Sequence, residues 1–272
     1  IALVHATLDA GINFIDTARA YGESEAVLGK ALRGRRQHAI IATKTGAHQP
    51  DGTAITGAAL RQHMLDSLDT SLRLLQTDYV DVWQIHNTDH AVLDQHETLA
   101  AVFDEARRAG KIRATGGSFY GAQTPLRAIE LDLFDVLQVT YSVFDQRLTE
   151  QVFPLAAQKN LGVLVRSVLL RGALTERADH LPDRLEPLRA RSRRYRQMVA
   201  DANVGLTPAQ AAIAYALAHP QISSVLVGIR GTAELAENLP ALHAQLPPTL
   251  IAQLNALRID DADMLNPGTW GA

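Results

Sequence analysis

Four side chains in the first third of the chain have the types and the placement to move a proton onto a substrate oxygen: Asp16, Tyr21, Lys44 and His86. Asp16, Lys44 and His86 sit at or beside the ends of three short apolar, β-branched runs, Ile12–Thr17 (INFIDT), Ala39–Thr45 (AIIATKT) and Tyr79–His86 (YVDVWQIH). Tyr21 lies just behind the first run. A free tyrosine, with a pKa of about 10, is too weak an acid for easy cycling near neutrality. An ammonium beside it favours the tyrosinate, and a carboxylate beside the ammonium keeps a buried lysine charged. An imidazole can orient the substrate oxygen and donate a hydrogen bond to it. Such a set suits a reaction in which negative charge builds on oxygen, as when hydride is delivered to a carbonyl carbon. Taken singly, the four have plainer roles: a turn cap, a packed ring, a solvated lysine, a core histidine. Together they fall where three successive strand ends would meet on one rim.

The elements that must carry them alternate from end to end. After a leading helix candidate, Ile1–Ala10, the three strands above are followed by helices over Ser24–Leu32, Gly57–Leu75 and Glu97–Arg108. In the second of these helices Leu60, Met64, Leu68, Leu72 and Leu75 recur every three or four residues. The rhythm continues with strand Ile112–Ser118 and a helix over Pro125–Leu133, which Pro125 can begin. Strand Val136–Ser142, helix Thr149–Lys159 and strand Gly162–Leu169 follow. Thr207 caps a helix from Pro208 to Ala218, and strand Ser224–Ile229 precedes helices over Thr232–Leu242 and Pro248–Leu257. The strands are apolar at consecutive positions, as parallel strands covered on both faces are. A doubly wound sheet and a (β/α)8 barrel both satisfy this order, and the length and even repetition favour the barrel as a single domain over residues 1–272.

Composition narrows the function classes. Of 272 residues, 47% are hydrophobic and 20% charged, which suits a globular chain with a large core and excludes disorder for most of it. Lys+Arg is 26 against 29 Asp+Glu, a formal net charge of -3, so a broadly basic nucleic-acid binder is not expected. With no cysteine there is no disulfide scaffold, thiolate zinc site, iron–sulfur cluster or cysteine nucleophile, and a reducing cytoplasm is the expected compartment. His86 and His90 are four apart but lack the carboxylate-rich helix of a zinc pair, so no metal site and no membrane partner are expected.

The words GINFIDTARAYGESEAVLGKAL (Gly11–Leu32), ATKTG (Ala42–Gly46), QIHN (Gln84–Asn87) and VGIRGTAELAENL (Val227–Leu239) make the chain resemble the aldo-keto reductases over essentially its whole length. The resemblance implies a (β/α)8 barrel that interconverts carbonyls and alcohols with NAD(P)(H), using Asp16, Tyr21, Lys44 and His86 as its tetrad. It also implies nicotinamide carboxamide contacts from Ser118 and Gln138. Phe119 stands where the family usually has Asn. Ser167, Leu169 and Gly172 fall where the pyrophosphate should lie, and Arg166 occupies a position often held by an aromatic or small residue. Gly228 and Thr232 offer backbone N–H groups to phosphate, Glu237 and Asn238 match the adenine contacts, and Arg230 is placed for a ribose 2′-phosphate. That arginine favours NADP(H) over NAD(H), although Glu234 stands where many relatives carry a basic or amide residue. The family carries no GxGxxG fingerprint, in keeping with its absence here.

Two features interrupt the pattern. Residues 170–206 form a long insertion after a strand, with Arg184, Arg189, Arg191, Arg193, Arg194 and Arg196 either on a solvated helix face or on a lid that attracts an anionic cofactor. The leading helix has no strand before it, so the first barrel strand is read as absent, leaving seven strands, and such a chain is expected to be less stable than one extended by that strand. The expected partner is a small carbonyl or sugar substrate: an aldehyde, ketone or lactol. A non-catalytic, redox-sensing nucleotide-binding subunit is the alternative, and a Schiff-base aldolase on Lys44 a third reading. Trp83 reads as core, and Trp270 as either pocket wall or packing.

Overall fold

The computed structural model describes residues 1–270, which form two compact units: Ile1–Gln138 with Gln158–Gly162, and Val139–Ala157 with the described residues from Val163 onward. In the first unit α1 (Ala2–Asp9) leads to β1 (Phe14–Asp16), α2 (Ser24–Ala31), β2 (Ile40–Gly46), α3 (Gly57–Leu75) and β3 (Val80–His86). The one-turn α4 (His90–Leu93), α5 (His96–Arg108), β4 (Ile112–Ser118), α6 (Gln123–Glu130) and the start of β5 (Val136–Thr140) follow. Each strand pairs in parallel with the next, which sets Asp16 beside Ala42, Lys44 beside Gln84, Gln84 beside Gly116 and Ser118 beside Gln138. The five central residues of β2 are all buried, as strands covered on both faces require.

α3 spans the residues its periodicity predicts, but Ser71 rather than Leu72 completes the buried stripe of Leu60, Met64, Leu68 and Leu75. Trp83 is fully buried and meets the Phe103 ring edge-on at 5.5 Å. Gly29 marks the crossing of α2 over α3: a Cβ there would lie 2.8 Å from the Leu75 carbonyl carbon and closer still to the Leu74 oxygen. Only a residue without a side chain fits this approach. α6 starts at Gln123, two residues ahead of Pro125, whose missing N–H falls among the first-turn donors that have no acceptor in the helix. α4 has no apolar period to announce it; the Asp89 side chain accepts the Val92 N–H at 2.9 Å and caps the turn.

The second unit holds the end of β5, α7 (Val152–Gln158) apart from its last residue, β6 (Gly162–Arg166) apart from its first, α8 (Glu186–Asp201), α9 (Pro208–Leu217), β7 (Ser224–Val225), α10 (Thr232–Asn238) and α11 (Pro248–Asn255). Its strands are shorter than the sequence suggests, for local reasons. β5 stops at Thr140 because the Ser142 hydroxyl accepts the Phe144 and Asp145 N–H groups and turns the chain. β6 stops at Arg166 because Ser167 takes the left-handed backbone, φ 62°. β7 is in register with β6 only at Ser224 and Val225. α10 ends at Asn238 and passes directly into a 3-10 turn over Leu239–His243, because Pro240 has no N–H to continue the α-helical bonding. Thr207 caps α9 through a reciprocal box with Gln210, as its sequence indicates.

Within residues 170–206 lie three short 3-10 turns and the sixteen-residue α8, which buries Leu188, Ser192, Tyr195 and Val199. Its arginines are largely engaged within the unit. Arg189 and Arg193 pair with Glu186 at 2.6 and 2.5 Å, Arg196 pairs with Asp179 at 2.6 Å, and Arg191 donates to the Leu257 carbonyl at 3.0 Å.

An aromatic cluster in this unit stacks Tyr141 on Tyr215, with ring centroids 5.8 Å apart, and sets His219 edge-on to Tyr141 and Phe153 at 5.5 and 5.0 Å. Burial holds the His219 imidazole below its ordinary value of 6.5. A base depressed in the folded state contributes stability that is present above the unfolded value and lost as pH falls through the folded one. Melting temperature is therefore expected to decline as pH falls below 6.5, with His219→Phe flattening that decline in thermal melts across a pH series.

Candidate active site

The first unit brings together the four residues at its strand ends. Asp16 ends β1, Lys44 lies on β2 and His86 ends β3. The Lys44 side chain is 0% exposed, and its Nζ lies 2.5 Å from Asp16 Oδ2 and 3.0 Å from the Thr17 carbonyl oxygen. The same Nζ is 5.2 Å from the centre of the Tyr21 ring. The His86 ring meets Tyr21 edge-on, with centroids 5.7 Å apart and planes at 85°. Tyr21 itself is 47% exposed, whereas the ammonium beside it is enclosed.

The loop carrying Tyr21 is tied down residue by residue. The Thr17 N–H donates to the Ala42 carbonyl at 2.8 Å, Arg19 N–H to Lys44 at 3.0 Å, and Tyr21 N–H to Ala18 at 3.0 Å. Glu25, fully buried on α2, accepts from Arg19 at 2.5 Å and from the Thr43 hydroxyl at 2.6 Å. This paired carboxylate holds the loop against β2, as an unpaired one could not. Sequence reasoning missed Glu25; the signal was its place among the small and apolar residues of α2.

Asp16 is shared more widely than the tetrad alone implies. Its Oδ1 accepts from Gln138 Nε2 at 2.8 Å and from Gln84 Nε2 at 3.4 Å, and Ser118 Oγ donates to Gln138 Oε1 at 3.4 Å. Ser118 and Gln138, both buried, thus form one hydroxyl–amide pair between the end of β4 and the middle of β5. Phe119 offers no side-chain amide. Its ring packs on Phe134 at 5.8 Å and lies over Gly117, whose Cβ would meet Phe119 Cε2 at 2.8 Å.

The remaining predicted contacts lie in the second unit. Ser167, Leu170 and Arg171 all have left-handed backbones, φ 62°, 42° and 52°, before Gly172 at 95°. Leu170 N–H donates to Ser167 O and Gly172 N–H to Leu169 O, at 2.7 and 2.8 Å, closing a tight turn. Left-handed non-glycine residues cost energy and gather at ligand clamps. Gly228, Arg230, Thr232 and Glu237 are exposed and Asn238 is half-buried. Glu234 Oε2 accepts the Arg230 backbone N–H at 2.7 Å and stands 3.9 Å from Arg230 Nε, while the Arg230 side chain is 73% exposed. Trp270 is buried.

A cleft of about 650 Å³ in the first unit, lined by Phe103, Arg107, Thr115 and Phe134 among others, contains none of the four strand-end residues. The candidate site is therefore marked by the convergence of polar groups and not by the size of a hollow.

Residues 1–259 match the aldo/keto reductase family. The chain belongs to that family. It is 36% identical over 179 residues to the aldo-keto reductase YhdN of Bacillus subtilis (strain 168), a match covering 64% of this chain and only 53% of that protein. It is 31% identical over 265 residues to L-galactose dehydrogenase of Arabidopsis thaliana, covering 89% of this chain and 77% of that one. The solved aldo-keto reductase of Bacillus halodurans in its holo form aligns with a TM-score of 0.79 at 26% identity, over 96% of this chain and 87% of that one. This aldo-keto reductase shares its fold with that structure, an α/β chain of the (β/α)8 type in which seven parallel strands are present among the described residues. No helix among the described residues is long and apolar enough to cross a membrane.

Proposed function

We propose that this aldo-keto reductase interconverts an aldehyde, ketone or sugar lactol with the corresponding alcohol or lactone, with Tyr21 as general acid and base. The observation that carries this reading is the enclosed Lys44 ammonium, 2.5 Å from Asp16 and 5.2 Å from the Tyr21 ring centre. Asp16 keeps Lys44 charged, and the charge steadies the tyrosinate left when Tyr21 gives its proton to the substrate oxygen. His86, against the Tyr21 ring, holds that oxygen. Because Tyr21 is half-exposed, solvent returns its proton. A lysine paired in this way is held as ammonium, which disfavours its use as a Schiff-base amine.

Each unit taken by itself offers donors of the kind a nicotinamide dinucleotide needs: in the first, a buried Ser118–Gln138 hydroxyl–amide pair suited to a carboxamide, and in the second, Ser167, Leu169 and Gly172 on a turn strained at Ser167, Leu170 and Arg171 and suited to a pyrophosphate. Gly228, Thr232, Glu237 and Asn238 would take the adenosine end. When bound, the nicotinamide supplies or accepts the hydride. On this reading Arg230 faces the 2′-phosphate and NADP(H) is preferred, against the pull of Glu234, which already engages the Arg230 backbone.

Fluorescence titration with NADPH and NADH, followed by a panel of aldehydes, ketones and sugars, tests the function. Tight binding with no turnover across the panel would replace this reading with that of a nucleotide-binding regulatory subunit. In the same titration, Glu234→Gln keeps an acceptor for the Arg230 N–H and removes the charge. It is expected to tighten NADPH by about three- to tenfold, the scale of one screened like-charge contact, and to leave NADH unchanged.

A further inference from the structure

We propose that Gln84 is a positioning residue that holds the Asp16 carboxylate in the orientation Lys44 requires, a role resting on the reading of Tyr21 as proton donor. Gln84 is 0% exposed on β3, level with Lys44 on β2 and Gly116 on β4. Its Nε2 donates to Asp16 Oδ1 at 3.4 Å, while Lys44 takes Asp16 Oδ2 at 2.5 Å. Its Oε1 is buried with no hydrogen-bond partner. Turning the amide over would set that oxygen against the carboxylate, so the donor must face Asp16.

A buried glutamine with an idle carbonyl is a poor choice for packing alone, since an unmet acceptor destabilises the fold and an apolar side chain of similar volume would not. The neighbouring strand makes room for it nonetheless. A Cβ on Gly116 would come within 2.9 Å of Gln84 Cγ, so β4 lacks a side chain where the glutamine stem passes. The groups facing Asp16 are then Lys44 on β2, Gln84 on β3 and Gln138 on β5, with Tyr21 and His86 beside them. Lys44 and Gln138 pull on different oxygens, and Gln84 is the second neutral donor on Oδ1. Without it the carboxylate is freer to turn, Lys44 is held less firmly near the phenol, and the tyrosinate is less favoured.

Gln84→Met removes the amide at similar volume, and Gln84→Asn keeps an amide one methylene too short to reach. Both are expected to lower kcat by about three- to tenfold, on the scale of one long hydrogen bond to a charged group. Both should move the tyrosine-dependent limb of the pH profile upward. The ultraviolet titration of tyrosinate, taken as a difference from the matching Tyr21→Phe variant, should move with it. For Gln84→Met the melting temperature should stay level or rise. An unmoved pH profile and tyrosinate titration would overturn the assignment, as would a fall in melting temperature with uniform loss of activity at every pH. Tyr21→Phe run alongside separates the two levels. If it retains activity, the proton-donor reading has failed. If it is inactive while the Gln84 variants keep the wild-type profile, only the role of Gln84 has failed.

Discussion

Tyr21→Phe is expected to lower kcat for carbonyl reduction by about 10²- to 10⁴-fold, the usual contribution of a positioned general acid. Dinucleotide affinity and melting temperature should stay close to wild type. The substitution removes one oxygen from a ring that is 47% exposed, outside the packed core. The edge contact with His86 and the cation–ring contact with Lys44 survive, because phenylalanine keeps the ring. Loss of turnover with intact binding thus isolates the proton, and steady-state kinetics on a reactive aldehyde with a parallel titration supply both readings. Undiminished turnover would remove Tyr21 from the chemistry.

Asp16→Ala should damage activity and stability together. The substitution leaves the enclosed Lys44 ammonium without the carboxylate 2.5 Å away and strips Gln84 and Gln138 of a shared acceptor. Removing one partner of a buried ion pair costs about 3–5 kcal/mol, because the remaining charge stays desolvated. Asp16→Asn keeps the shape and one acceptor and should fall between the two. Denaturant midpoints at constant slope measure the loss, and kcat should fall further than stability alone accounts for, since an unsupported lysine no longer favours the tyrosinate. An Asp16→Ala variant that unfolds like wild type would show that the pair is not holding the site together.

Much of this was legible in the sequence for identifiable reasons. Asp16, Lys44 and His86 each close an apolar run, and a parallel arrangement delivers such ends to the same edge. The extent of α3 followed from its leucine period, and the cap on α9 from Thr207 and Gln210. What escaped depended on tertiary contacts. Glu25 has only its small and apolar neighbours on α2 to mark it in the sequence, and its pairing with Arg19 and Thr43 is a tertiary contact. Gln84 looked like one more residue of a strand word. β7 shrank to two residues because Ser167 turns left-handed in the neighbouring strand's path, and nothing in the word SVLVGI records that. The turns in residues 170–185 have no period of their own.

Gly29 carries a consequence for genetics and engineering. A methyl group there would press on the backbone of α3, and α2 would have to lift, taking Glu25 and the phenol-bearing loop with it. An inactivating allele can therefore arise well away from any reacting atom. A saturation screen scored only on product formation is expected to rank position 29 alongside position 21, although what it records there is clearance between two helices.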